Sequence, residues 1–98
     1  MLRAVPKIRR LENKKLIREW PRDLCEICRG RFMLQAHHII SVGSGGPDHK
    51  FNLITLCLYC HDKAHRAILT KETLFRKVAF RERVLLSVVV DVVMDLKV

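Results

Sequence analysis

This 98-residue chain is short of three things, and each shortage removes a class of protein. Long apolar runs come first. The N-terminal stretch MLRAVPKIRRLENKK is basic, but no apolar run follows it, so it does not read as a secretory signal. The C-terminal run Val84–Val98, VLLSVVVDVVMDLKV, is 15 residues long and interrupted by Asp91 and Asp95, too short and too charged to span a bilayer. No membrane is called for, and the cytoplasm, where thiols stay reduced, is the expected location. Internal repeats and low-complexity segments are also absent, which leaves no repeat array to consider. Acidic residues are the third shortage: 10 Asp+Glu stand against 19 Lys+Arg, and the net charge of +9 points to a polyanionic partner.

What is present is a folded domain with unevenly placed charge. Hydrophobic residues make up 49% of the chain, enough for one core, but a domain this small gains little from its core and is often stapled by a metal. Residues 1–22 carry a net +6, residues 23–65 a net 0 and residues 66–98 a net +3. Basic flanks around a neutral centre suit a nucleic-acid binder with a dedicated central site. A solvated basic surface that aids solubility is the plainer alternative.

The four cysteines form two C-x-x-C pairs, Cys25/Cys28 and Cys57/Cys60, separated by 28 residues. In a reducing compartment this spacing reads as metal ligation rather than as disulfides. A haem-attachment reading of Cys57-Leu-Tyr-Cys60-His61 leaves Cys25 and Cys28 unexplained. A zinc site built from Cys57, Cys60, His61 and His65 alone is cramped, because zinc sites draw two ligands from each of two separated elements. Joining the two pairs gives a closed tetrahedral four-thiolate zinc site and leaves the histidines for other work.

Arg9–Trp20 reads as a basic helical segment with Leu11, Leu16 and Ile17 on its apolar side, stopped by Pro21. Phe32–Ile40 reads as a strand, SVGSGGPDHK as a glycine-rich loop and Phe51–Leu56 as a second strand, together a hairpin. Asp48 in that loop reads chiefly as a turn former. From Cys60 to about Leu69 the pattern is helical, which puts His61 and His65 on one face. Adjacent strand residues point to opposite faces, so the doublet His37-His38 predicts a bulge or a strand end there if both are to serve one site. In the last segment Ser87, Asp91 and Asp95 recur every four residues, with Arg83 extending the series, as in a helix with one polar stripe. Its valines suit a strand as well, and both remain open. As a helix it has a wide apolar surface, and a second copy of the chain is the expected cover.

HHIISVGSGGPDHKFNLITLCLYCHDKAH, with the paired C-x-x-C knuckles, resembles the HNH endonuclease family of bacteria and phages over about Cys25–His65. The resemblance implies an α+β fold with a small ββα-metal core stapled by the four-cysteine zinc site, and the helical readings of the two ends, which it does not cover, add flanking N-terminal and C-terminal helices. One domain, 1–98, would then comprise a basic segment 1–22, a core 23–69 and a C-terminal helical segment 70–98. It implies metal-dependent hydrolysis of DNA phosphodiesters. His38 would be the general base, His37 and His61 ligands of a catalytic divalent metal, and His65 a further ligand or a phosphate contact. Asn52 would fix the loop and aim His38.

Chemistry supports these residue types independently. Imidazole suits the base role at neutral pH, and few protein ligands leave a metal open to phosphate and water. Manganese or magnesium is expected, then nickel, cobalt or zinc. Double-stranded DNA would be gripped through Arg9, Arg10, Lys14, Lys15, Arg18, Lys50, Lys63 and Arg66. The alternative is a zinc-stabilised nucleic-acid-binding module without catalysis.

Overall fold

A computed structural model describes residues 9–98; the first eight residues of the basic N-terminal segment lie outside the described residues. Helix α1 (Lys14–Glu19) starts where the Asn13 side chain accepts the Leu16 N–H at 3.0 Å, and it ends at extended Trp20, before Pro21. It is shorter than the expected Arg9–Trp20 because Asn13 caps it. Strands β1 (Gln35–His38) and β2 (Leu53–Leu56) pair antiparallel, with Gln35 opposite Leu56 and His38 opposite Leu53. Each is shorter than its sequence suggests: Phe32 and Met33 form a turn and the chain bends at Ile39 and Ile40, while a 3₁₀ turn at Lys50–Asn52 takes up the start of the second run, and another at Val42–Ser44 lies in the loop. The histidine doublet occupies the last two positions of β1, the strand end that its two-faced requirement predicts.

Helix α2 (Leu58–His65) begins two residues before the expected Cys60 because Cys57 is its cap. Segment 70–98 folds as two helices. Thr70 caps α3 (Lys71–Glu82), and Arg83 closes it in the left-handed conformation at φ 58°, so Arg83 ends α3 rather than extending the polar stripe. The open choice between helix and strand resolves as α4 (Leu86–Leu96). Val89 and Val93, four residues apart, are fully buried, while Ser87, Asp91 and Asp95 face solvent. A strand would have buried alternate residues instead.

One core holds these parts together. It joins Cys25, Cys57 and Cys60 to Ile39, Ile40, Ile54 and Leu56 of the hairpin, to Leu74, Phe75 and Val78 of α3, and to Val89 and Val93 of α4. All four residues of β2 are buried, because α2 and α3 pack on it as well as β1. The glycine-rich loop is pinned at two of its glycines. Gly45 has φ 84°, which favours glycine, and its carbonyl accepts the Val98 N–H at 3.3 Å. A Cβ on Gly46 would run into the Ile40 carbonyl.

Candidate functional site

The first constellation is sulfur. The Sγ atoms of Cys25, Cys28, Cys57 and Cys60 all lie within 4.8 Å of one another, and none is in a disulfide. Backbone N–H groups turn toward them: Ile27 N to Cys25 Sγ at 3.4 Å, Gly30 N to Cys28 Sγ at 3.4 Å and Cys60 N to Cys57 Sγ at 3.5 Å. Such donors favour thiolate. Burial raises the Cys25 pKa, but N–H groups of Cys28, Cys57 and Ile27 outweigh burial and bring it down to about 7. Cys60 is pushed up, by burial first and then by the neighbouring thiols. Four converging sulfurs, three of them buried, suit a closed structural metal site.

The second constellation is imidazole. His37 of β1 and His61 and His65 of α2 bring ring nitrogens within 4.8 Å of one another, with His61 Nε2 and His65 Nε2 3.2 Å apart. Burial, then the charges of His61 and His65, hold the His37 pKa down to about 4. Burial, then His65, lowers His61 too. Neutral imidazoles keep the lone pairs that a metal needs. Residues that sit in two elements, one of them the helix that Cys57 caps, form this group.

His38 takes a different partner. Its Nε2 lies 2.7 Å from Asp48 Oδ1, and it borders a cleft of about 460 Å³ together with His37, His65, Ser41, Ser44 and Lys71. Asp48 is buried and also accepts from Arg10 Nη1 at 2.6 Å and from the Asn13 N–H at 2.8 Å. Burial would raise this carboxyl, but the hydrogen bonds from Arg10, Asn13 and His38 prevail and bring it down to about 2. Asp48 is therefore more than a turn former. It joins the N-terminal segment to the histidine doublet, a link that a turn-like G-P-D-H context hides.

Asn52 is fully buried and lies away from the cleft. Its Oδ1 accepts the Ile40 N–H at 2.8 Å, and its Nδ2 donates to the Ile40 and Pro47 carbonyls at 3.0 Å. It closes the base of the loop that carries Asp48. His49 accepts the Phe51 N–H at 3.0 Å and stands outside both clusters.

Residues 25–67 match the family model described as HNH endonuclease. This segment is similar to HNH endonucleases. The antiparallel β1–β2 pair, helix α2 and the clustered cysteines fit the ββα core of that family, and the similarity supports a function of the nuclease type, on nucleic acid, at the level of the family. Searches of curated proteins and of solved structures return no match.

Of the cations expected to grip DNA, Arg9, Lys14, Lys15, Arg18, Lys50, Lys63 and Arg66 are exposed, whereas Arg10 is turned inward onto Asp48 and the Gly46 carbonyl. Lys50 pairs with Glu82 at 3.4 Å and Arg66 with Asp62 at 3.0 Å. The sequence offered no sign of Arg81. Its guanidinium bonds Glu26 and the carbonyls of Leu53 and Lys50, and it lies 5.1 Å from the centre of the Trp20 ring. A cavity of about 780 Å³ opens beside it, between α1 and the end of α3. Only the tertiary fold assembles this group, from residues up to 61 positions apart between Trp20 and Arg81.

Proposed function

We propose that this chain is a metal-dependent DNA endonuclease that hydrolyses phosphodiester bonds by nicking or cutting duplex DNA. One observation carries the reading: three imidazoles have nitrogens within 4.8 Å of one another, and two of them, His37 and His65, border the cleft beside a fourth, His38, that is tied to a carboxylate. A pure binding module has no use for that pairing.

The chemistry follows from the donors and acceptors. An ionised carboxylate can only accept a hydrogen bond, so Asp48 places the His38 proton on Nε2 and leaves the Nδ1 lone pair free. His38 Nδ1 is then the base that takes a proton from the attacking water. His37, His61 and His65 would hold a divalent cation, which when bound supplies the Lewis acidity that phosphodiester hydrolysis needs. Manganese or magnesium is the first choice, then nickel, cobalt or zinc. The four cysteines would hold a separate structural zinc, which requires a compartment that keeps them reduced. Asn52 and Asp48 are positioning residues, and exposed Lys14, Lys15 and Arg18 would grip backbone phosphates. The whole described chain serves one domain in this reading, and the uncovered edge of α4, with Val88 and Met94 exposed, would meet a second copy.

Incubation of supercoiled plasmid with the protein and manganese or magnesium tests this function. Wild type should convert it to nicked or linear product, and His38→Ala should lower the rate by about a hundredfold or more. Equal rates would remove His38 from the base role. No conversion with any divalent cation would leave the binding module as the function.

A further inference from the structure

The end of α2 away from His65 carries an apolar surface that hydrolysis does not use. Phe32 and Met33, in the turn after Cys28, are 52% and 56% exposed, and Tyr59 in the first turn of α2 is 64% exposed. The Phe32 and Tyr59 rings stack with centroids 5.7 Å apart. Leu58 N–H donates to the Phe32 carbonyl at 3.0 Å, so the two cysteine-bearing segments hold the pair in place. Two aromatic rings on ordered backbone are left in water by a domain that has little core to spare.

Cations surround these rings. Arg29 and Arg31 share the turn with Phe32, while Lys63 follows Tyr59 by four residues on the same face of α2, and Arg66 caps the C-terminal end of that helix. Asp62 of α2 is paired with Arg66 at 3.0 Å. Among the described residues no carboxylate lies within ion-pair distance of Arg29, Arg31 or Lys63. The core of a protein–protein interface is depleted of charge, whereas aromatic faces flanked by free cations are how single-stranded nucleic acid is held. A paired duplex hides its base faces, so these rings can stack only on an unpaired base. Tyr59 and His65 are six residues apart on α2, about 9 Å along its axis, or two to three nucleotide steps of about 3.4 Å.

We propose that Phe32 and Tyr59 form a stacking platform for an unpaired nucleobase. The domain would thereby select DNA with a bulged, gapped or unwound position a few nucleotides from the phosphate at the histidine cluster. This rests on the nuclease reading for the cleaved bond and adds the substrate class.

The test measures binding without divalent cation, using a duplex with a single bulged 2-aminopurine and the fully paired duplex. Wild type should quench the 2-aminopurine and favour the bulged DNA. Tyr59→Ala and Phe32→Ala should lose the quenching and at least about fivefold of the affinity for bulged DNA, with paired-duplex affinity unchanged. Tyr59→Trp should restore both. Unchanged paired-duplex affinity and retained cysteine-bound metal certify the fold of the variants. Equal loss on both DNAs, or no loss on the bulged one, overturns the platform. So does concentration-dependent self-association that Tyr59→Ala abolishes, which gives the face to a second copy. A protein with the aromatic-dependent preference that never cuts with added metal keeps the platform and loses the nuclease. One that cuts both DNAs alike, with or without Tyr59, does the reverse.

Discussion

Replacing Asp48 by Asn keeps the shape of the side chain and removes its charge. The carboxylate serves Arg10, the Asn13 N–H and His38, and these partners together move its pKa from 3.8 to about 2. At roughly 1.4 kcal/mol per pH unit, the charged form stabilises the fold by about 2 kcal/mol at pH 7. The sign is that of a depressed carboxyl: the contribution is complete above the ordinary value of 3.8 and disappears as pH falls toward 2. Thiolates protonate and release metal well above that range, so the neutral range is where the loss should be measured. Trp20, the one tryptophan, bonds Thr55 at 3.0 Å and reports unfolding by its fluorescence. Urea melts at pH 7 should show Asp48→Asn less stable by about 2 kcal/mol. Arg10→Ala added to it should cost less than it does alone, because the two share one bond. A variant within about 0.5 kcal/mol of wild type, or strict additivity, would refute the hub.

Other perturbations have equally definite outcomes. Cys25→Ser should abolish tight zinc binding and cooperative folding together, since metal-binding and folding free energy are one quantity at such sites; metal analysis and circular dichroism check it. His61→Ala should keep the cysteine-bound metal and lose the divalent-cation-dependent cleavage of plasmid, which metal analysis beside the cleavage assay separates. Val89→Ala, at a fully buried position between α3 and α4, should destabilise by about 2 kcal/mol in urea melts. Met94→Glu, on the 52% exposed edge of α4, should leave the fold intact and shift any dimer to monomer in sedimentation analysis.

The parts legible in the sequence are those with local signatures. Cys25/Cys28 and Cys57/Cys60 announce a metal cluster by spacing alone, and His61 and His65 announce a shared face by their separation of four. The doublet His37-His38 also declared a bulge or a strand end, because a regular strand cannot aim both residues one way, and β1 ends there. What stayed hidden depended on long-range pairing. Asp48 meets Arg10 across 38 residues, and Arg81 meets Glu26 across 55, distances over which periodicity says nothing. Boundaries slipped where a cap, not a propensity, decided them: Asn13 shortened α1, and Cys57 moved the start of α2. Valine propensity left α4 open, and burial of Val89 and Val93 against α3 settled it.

The double duty of Cys57 explains why the two constellations are neighbours. Its sulfur belongs to the cysteine cluster and is also the N-cap of α2, accepting the Cys60 N–H at 3.5 Å. Whatever closes the four sulfurs therefore fixes the first turn of α2, and one residue past Cys60 the helix presents His61. The next turn presents His65, and the facing strand brings His37 to within 5.1 Å of the His61 ring centre. An isolated eight-residue helix would be marginal in water, too mobile to hold two imidazoles at a set angle to a third. The cysteine cluster supplies the rigidity that helix propensity cannot, so the stability of the histidine cluster is inherited from the sulfur site.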